Sequence, residues 1–370
     1  YYLQLMGHQV VVYEMLPKLG GMLRYGIPNY RLPKDRLDDD INAILETGVQ
    51  VKHGLRIGID ITINELREQY DAVLITIGAS TDKKLGVEGE DADGVISAVQ
   101  FLRDVGKGNA IDLKGQEVCV VGGGNVSMDA VRTAVRLGAK KVTIVYRRRV
   151  ADMTALHDEI EGAIAEGVEV ATLRAPVRIE TDNDYSTRGL WVRPQMISSI
   201  KNGRASVKDT GEADLLIPCT TVIVAIGQDI ESQHFADAGV PVNRGVIQTG
   251  RHGGFDLLPG VFAGGDCATG PATVIRAIGA AKVIAANIDE YLGFHHVIQS
   301  DIDVPSPDMS DRNPCGRVNM TEREVCQRVC DFDGVELPMS EAECRQEASR
   351  CLRCDHFGYG IFKGGRETVW

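Results

Sequence analysis

Three consecutive glycines, Gly122, Gly123 and Gly124, followed by Asn125 and Val126, form the stretch of this chain best suited to holding an anion. Gly122 and Gly124 stand where a tight turn asks for positive φ and where a backbone without Cβ lets a pyrophosphate come close. A helix starting there would add its free N–H groups and the positive end of its dipole. Further on, Arg147, Arg148 and Arg149 stand where an Asp or Glu would accept from a ribose 2′-hydroxyl. Guanidinium groups at that place suit a 2′-phosphate, so the pattern favours NADPH over NADH. Each arginine taken singly has an alternative reading as part of a solvated basic turn. Ser127 occupies the third fingerprint position, where Gly or Ala is usual, and departs from the pattern.

These residues need a strand, a turn, a helix and a second strand to hold them. Val118, Val120 and Val121 make a short apolar run that stops at the glycines. Asn125 to Leu137 then places Val126, Ala130, Val131, Ala134 and Val135 at helical spacing, and Val142 to Tyr146 reads as the second strand. The whole is a βαβ unit.

A second, incomplete unit lies at the start of the chain. Val10 to Tyr13 reads as a strand ending in Glu14, an acid suited to an adenosine ribose, although a solvated strand end reads the same way. The strand and glycine loop that would precede it are absent, so the sequence is expected to be part of a longer polypeptide. Leu19 to Pro33, rich in Gly and Pro, is expected to be a loop that lets a flat ligand lie against backbone. Asp38 to Leu45 reads as a helix, and Val49 to Lys52 and Ala72 to Ile77 as strands. Residues 82 to 95 read as an interdomain linker and Ile179 to Ile200 as a β-meander with turns near 182–186 and 202–203. The strands ending at Gly78 and at Gly227 (Val222 to Ile226) look like paired exits, which places one nucleotide domain inside the other. Val261 to Ala263 opens into Gly264, Gly265 and Asp266, with a helix expected from about Ala272 to Leu292. Asp266 could accept from sugar or ribityl hydroxyls there.

With 370 residues, 44% hydrophobic and 25% charged, the chain can build two or three cores. Its net charge of −12 argues against a nucleic-acid or anionic-membrane partner, each of which asks for a basic face. No apolar run has the length of a membrane span and no signal peptide is recognisable, so a cytoplasmic location is expected. Of nine cysteines, Cys119, Cys219 and Cys267 are scattered, while Cys315, Cys326, Cys330, Cys344, Cys351 and Cys354 cluster near the C-terminus. The pairs Cys326/Cys330 and Cys351/Cys354 have chelating spacing, enough for a four-thiolate site. An iron–sulfur cluster suits the redox context, with zinc or no metal as alternatives. The eight histidines, His295 and His296 among them, show no metal or triad spacing and read as solvated or packed.

Four strings together, G-G-M-L-R-Y-G-I-P at 20–28, G-G-G-N-V-S-M-D at 122–129, Y-R-R at 146–148 and V-F-A-G-G-D at 261–266, resemble the glutamate synthase small-subunit family of flavoproteins over roughly residues 1 to 292. That group includes the matching parts of dihydropyrimidine dehydrogenase and of the large subunit of NADH-dependent ferredoxin:NADP oxidoreductase. The resemblance implies an α/β fold of two interleaved Rossmann-like domains plus a cysteine-rich tail. FAD would occupy residues 1–80 and 226–298, NAD(P)H residues 81–225, and 299–370 would be linker (Ser300 to Ser310) and tail. It implies that Glu14, Gly21, Met22, Leu23, Arg24, Gly265 and Asp266 contact FAD, and that Gly123, Gly124, Asn125, Val126, Arg147 and Arg148 contact NADPH. The family's cysteine-rich domain normally precedes the flavoprotein part, whereas here similar residues, Glu347 to Asp355, follow it.

The implied chemistry is hydride transfer between nicotinamide and flavin, which needs positioning and no side-chain acid or base. With no C-x2-C or C-x4-C inside the nucleotide domains, a disulfide reductase is not expected. The expected function is an electron-transfer subunit working with other redox subunits, either a glutamate synthase large subunit or a complex that splits electrons between a pyridine nucleotide and ferredoxin. An alternative of another class is a docking subunit that keeps the fold without FAD.

Overall fold

The short apolar runs of the first 80 residues become parallel strands with helices between them. After α1 (Tyr2–Leu5), β1 (Val11–Glu14) pairs in parallel with β2 (Gln50–His53), across α2 (Gly21–Tyr25) and α3 (Lys34–Leu45). α4 (Ile63–Gln69) is started by a reciprocal cap, in which the Glu65 backbone N–H donates to the Thr62 hydroxyl and the Thr62 N–H donates to the Glu65 carboxylate. β3 (Val73–Ile75) and the short β4 (Thr81–Asp82) follow. The computed structural model describes residues 1–201, 203–250, 252–298 and 315–351.

Next come β5 (Val95–Ser97), α5 (Ala98–Gly106), β6 (Glu117–Val121), α6 (Asn125–Arg136), β7 (Lys141–Tyr146), α7 (His157–Ala165) and β8 (Glu169–Thr172). An antiparallel sheet of β9 (Arg174–Thr181), β10 (Thr187–Lys201), β11 (Arg204–Asp209) and β12 (Leu215–Pro218) precedes β13 (Thr221–Val224). β13 inserts between β5 and β6, giving a five-stranded parallel sheet of order β5–β13–β6–β7–β8. The side-chain period of two sends Val118, Val120 and Ile144 to α5, α6 and α7, while Cys119, Val121 and Val145 meet Leu190 and Val192 of the antiparallel sheet. Covering both faces is what a parallel sheet of continuous apolar strands requires.

One expectation holds here and another changes. The expected β-meander is observed: β9 ends at Thr181, a turn spans 182–186, and the 15-residue β10 pairs with β9 and β12 along its first half and with β11 along its second. Leu190 and Val192 keep alternating inward, so nothing in that half breaks the strand; of the second expected turn, Asn202 lies outside the described residues. The 82–95 linker is pinned, because its polar backbone completes sheet edges: Ile179 N donates to Glu88 O at 2.8 Å and Thr187 N to Asp93 O at 2.8 Å.

The chain returns through β14 (Gln228–Asp229), which pairs antiparallel with β4. α8 (Gln233–Asp237) and the hairpin β15 (Val242–Asn243)/β16 (Val246–Ile247) lead to β17 (Val261–Ala263). β17 pairs in parallel with β3, some 190 residues earlier in the chain. Phe262 and Leu74 face α10 (Val274–Tyr291), while Ile75 and Ala263 face Phe235 and Ile247. A single turn not read from the sequence, α9 (Asp266–Thr269), precedes α10.

Last come α11 (Val325–Arg328) and α12 (Glu341–Ser349). Val335 N donates to Tyr30 O at 3.0 Å, Asn29 Nδ2 donates to Phe332 O at 3.0 Å, and the Phe332 ring lies 6.3 Å from that of Tyr30, so this segment is seated on the loop after α2. The linker expected at 300–310 lies outside the described residues. Among the described residues no helix is long and apolar enough to cross a membrane.

Candidate functional site

The parallel register places the glycine turn and the arginines at the same end of two adjacent strands. Val121 is opposite Val145, and Gly122 N donates to Val145 O at 3.1 Å, so the turn after β6 sits beside the end of β7, where Arg147 and Arg148 follow. Gly122 has φ +152°, and a Cβ on it would stand 2.3 Å from Ala225 O and 2.4 Å from Ser127 Oγ. Ser127 is fully buried, its hydroxyl donating to Ala225 O at 3.4 Å, so the unusual third fingerprint residue fits by packing against the β13 exit. A Cβ on Gly123 would stand 2.7 Å from the Tyr146 ring.

Gly124 behaves differently from the expectation of positive φ. It is the residue before α6, with extended φ −101° and ψ 177°, and a Cβ there would meet only Thr154 Oγ1 at 3.6 Å. The space in front of it is open, at the end of α6 where the first N–H groups have no intrahelical acceptor. Asn125 Oδ1 accepts from Leu156 N at 2.9 Å, and Val126 packs at the edge of the core. Gly122 therefore serves the turn, and Gly124 leaves room.

The arginines divide their roles. Arg149 is held by Asp152 through two hydrogen bonds of 2.8 and 3.0 Å. Arg148 Nε donates to Ala205 O at 2.8 Å. Arg147 is exposed, with no hydrogen-bond or ion-pair partner for its side chain among the described residues.

On the other side, Glu14 ends β1 and its carboxylate accepts from Leu16 N at 2.8 Å. Gly21, with φ +46°, has no atom within 4 Å of the place a Cβ would take, so the backbone at the start of α2 is open. Met22 folds over Gly26, and Leu23 is half-buried. Arg24 turns inward, its guanidinium donating to Leu19 O and pairing with Asp38. Lys34 Nζ donates to Leu23 O at 2.8 Å and Ile27 O at 2.6 Å; burial first, and then the nearby Arg24 charge, bring its ammonium down to about 8. Gly265, φ +73°, is likewise open, while Gly264 is crowded, since a Cβ would stand 2.0 Å from Ile284. Asp266 follows Gly265, and burial pushes its carboxyl above the usual range. Neither Lys34 nor Ala225 was identifiable from sequence, because each acts through a backbone carbonyl and carries no spacing signature.

Behind the glycine turn lies an ionic junction that the sequence did not reveal. Arg31 Nη1 donates to both Asp129 oxygens at 2.9 Å and its Nε is 2.8 Å from Glu159. Glu166, whose side chain is wholly buried, receives Arg132 at 2.8 Å, Arg136 at 2.6 Å and Arg328 at 3.0 Å. Arg136 and Arg132 also lie 3.9 and 5.0 Å over the Tyr30 ring. The junction joins the loop after α2, the helices α6 and α7 and the C-terminal α11.

Of the expected metal ligands, Cys354 lies outside the described residues. Cys326 and Cys330 are exposed, and Cys330 Sγ donates to Cys326 O at 3.3 Å. Among the described residues no group of three donor side chains within 4.8 Å contains a cysteine, so Cys326, Cys330 and Cys351 are not gathered about one point. Cys315 instead sits 3.5 Å from Ser349 Oγ, at the end of α12.

Residues 2–281 match the family model described as pyridine nucleotide-disulphide oxidoreductase. The chain is 36% identical, over 98% of its length, to the NADP(+)-dependent formate dehydrogenase subunit beta of Moorella thermoacetica, and spans only 53% of that protein. It is 32% identical, over 77% of its length, to the glutamate synthase [NADPH] small chain of Escherichia coli, of which it covers 64%. In fold, FprA of Mycobacterium tuberculosis in complex with NADPH superposes with a TM-score of 0.68 at 20% identity, covering 79% of this chain and 82% of that one. The expected architecture of two interleaved dinucleotide-binding α/β units is thus the one observed. The chain belongs to the pyridine nucleotide-disulphide oxidoreductase family, within the group that includes the glutamate synthase small chains.

Proposed function

We propose that this chain passes electrons between NADPH and partner redox subunits through FAD. The observation that carries the reading is the meeting, at the same end of adjacent strands, of an open Gly124 at a helix start with an Arg147 whose side chain has no hydrogen-bond or ion-pair partner among the described residues. Gly122 to Val126 would take the pyrophosphate, and Arg147 with Arg148 the 2′-phosphate. Glu14, Gly21, Met22, Leu23, Arg24, Gly265 and Asp266 would line FAD. The open backbone at Gly21 and Gly265 fits a flat ligand, and Arg24 would act by holding that loop through Leu19 and Asp38. Residues 1–80 and 226–298 then make the FAD domain and 81–225 the NAD(P)H domain. When bound, the nicotinamide and flavin rings supply the hydride chemistry themselves. The protein's part would be to bind, orient and exclude water.

The cysteine segment is proposed to hold an iron–sulfur cluster, with zinc as the alternative, on Cys326, Cys330, Cys351 and Cys354. The described thiols do not stand close enough together to share an ion as they are, so no electron step is assigned through them. The formate dehydrogenase relative matches 98% of the chain, and so extends into the cysteine segment, whereas the glutamate synthase small chain matches 77%. That difference favours a larger redox complex over glutamate synthesis.

An absorption spectrum of anaerobically purified protein before and after NADPH, with iron and zinc counted on the same sample, tests the reading. Flavin bands that bleach on adding NADPH, with bound iron, are expected; a colourless chain holding only zinc would replace the reading with a docking role. Arg147→Ala with Arg148→Ala should weaken NADPH about 10- to 100-fold, the worth of one or two charge-assisted hydrogen bonds, and leave NADH nearly unchanged. Equal losses for the two nucleotides in steady-state kinetics would refute the phosphate assignment.

A further inference from the structure

We propose that His8, Asp289 and His296 form a binding site for a divalent transition ion of the zinc type, remote in sequence from both glycine turns and from the cysteine tail. Three segments converge there: the loop between α1 and β1, the last turn of α10, and the chain just beyond α10. One donor atom from each lies within 4.8 Å of the others. His8 Nε2 is 2.9 Å and His296 Nδ1 2.6 Å from the same oxygen, Asp289 Oδ1.

The site is built rather than fortuitous on three counts. The Asp289 side chain is fully buried, and its second oxygen accepts from His296 N at 2.8 Å, so the carboxylate is aimed by backbone before any ion arrives. Phe294 walls the cluster, stacked on the His296 ring at 5.1 Å and edge-on to His8 at 5.6 Å, which holds both imidazoles in place. The His8 backbone N–H donates to Leu3 O at 3.1 Å, and Leu3 packs into the Phe262, Ile284 and Ile288 core, so His8 is anchored to α10 from below. His296 is 45% exposed and leaves an approach for the ion and for water as a fourth ligand.

The donor set selects the class of ion. Two imidazole nitrogens and one carboxylate suit zinc and its neighbours, whereas calcium and magnesium ask for oxygens and copper(I) for sulfur. Bonds near 2.0–2.2 Å in tetrahedral geometry put ligand atoms roughly 3.3 Å apart. The present 2.9 and 2.6 Å need to open by less than about 1 Å, with the ion replacing the protons now shared between the rings and the carboxylate. A bound ion would fasten the start of the chain to the end of α10.

The test compares the whole chain with His296→Gln, an exposed position where folding is safe, after chelation, zinc loading and dialysis. Both chains carry every cysteine, so the tail's metal content cancels in the difference. The wild type is expected to hold one more zinc, with nitrogen and oxygen neighbours near 2.0–2.1 Å by X-ray absorption. Zinc should also raise its thermal midpoint at concentrations at least about tenfold lower than in the variant. Equal zinc in the two chains, or a difference signal made only of sulfur neighbours, would overturn the proposal and leave a hydrogen-bonded lock of two histidines on one aspartate.

Discussion

Gly122→Ala is expected to abolish most NADPH-dependent turnover and to destabilise the chain, whereas Gly124→Ala should remove NADPH binding at almost no cost in stability. At Gly122 the new methyl would lie 2.3 Å from Ala225 O and 2.4 Å from Ser127 Oγ, both held by the sheet and α6, so the turn itself must move. Overpacking of this kind costs about 1–3 kcal/mol. A displacement of about 1 Å in a positioning loop is worth roughly 100-fold in rate. At Gly124 the backbone is already extended, and the methyl meets only Thr154 Oγ1 at 3.6 Å, so the folded chain accepts it. What the methyl occupies is the room left for the phosphate. Denaturation midpoints paired with NADPH titrations separate the two cases, and a Gly124→Ala chain that binds NADPH normally would refute the placement of the pyrophosphate.

Glu166→Ala should be the most destabilising substitution outside the hydrophobic cores, by about 3–5 kcal/mol, the usual result of leaving buried charge without its partner. The guanidinium groups of Arg132 and Arg136 would lose their shared acceptor, and that of Arg328 an ion-pair partner. Burial alone would raise the Glu166 carboxyl, but hydrogen bonds from Arg136 and Arg132 outweigh it and hold the group below the ordinary carboxylate range. A carboxyl lowered in the folded state adds stability that is present above its unfolded value and lost as pH falls through the folded one. The native chain should therefore weaken in acid below about pH 4, while Glu166→Gln should be weaker at neutral pH and show a flatter acid limb in urea melts at stepped pH. An identical acid limb in both would assign the acid sensitivity to other carboxylates.

What could be read in the sequence followed from local pattern. The run Val118, Val120, Val121 before three glycines fixed strand and turn, and Val126 to Val135 at helical spacing fixed α6, because period and glycine are properties of neighbours in the chain. The strand Val261–Ala263 and the Gly264–Asp266 turn were legible for the same reason. The ionic junction was not, since Tyr30, Asp129, Glu166 and Arg328 meet only after folding, and charged residues at those positions look like solvated faces. His8 and Asp289, 281 residues apart, had no spacing to interpret. The division of labour between Gly122 and Gly124 depended on Ala225, whose carbonyl arrives at the end of the adjacent strand β13 from a distant part of the chain.

The pairing of Gln228–Asp229 with Thr81–Asp82 means that the chain leaves and re-enters the outer unit through neighbouring, hydrogen-bonded positions. A segment whose two ends emerge side by side can be lengthened, exchanged or removed without stretching its host, because the stub left behind already closes on itself. Residues 83–227 are such a segment, and the core of Val118, Val120, Ile144 and Phe101 lies wholly within it. If the segment is the nucleotide-binding unit proposed above, exchanging it is expected to change nucleotide preference, provided its contacts with the outer unit, through Tyr30, Arg31 and the packing of α2 on α5, are kept.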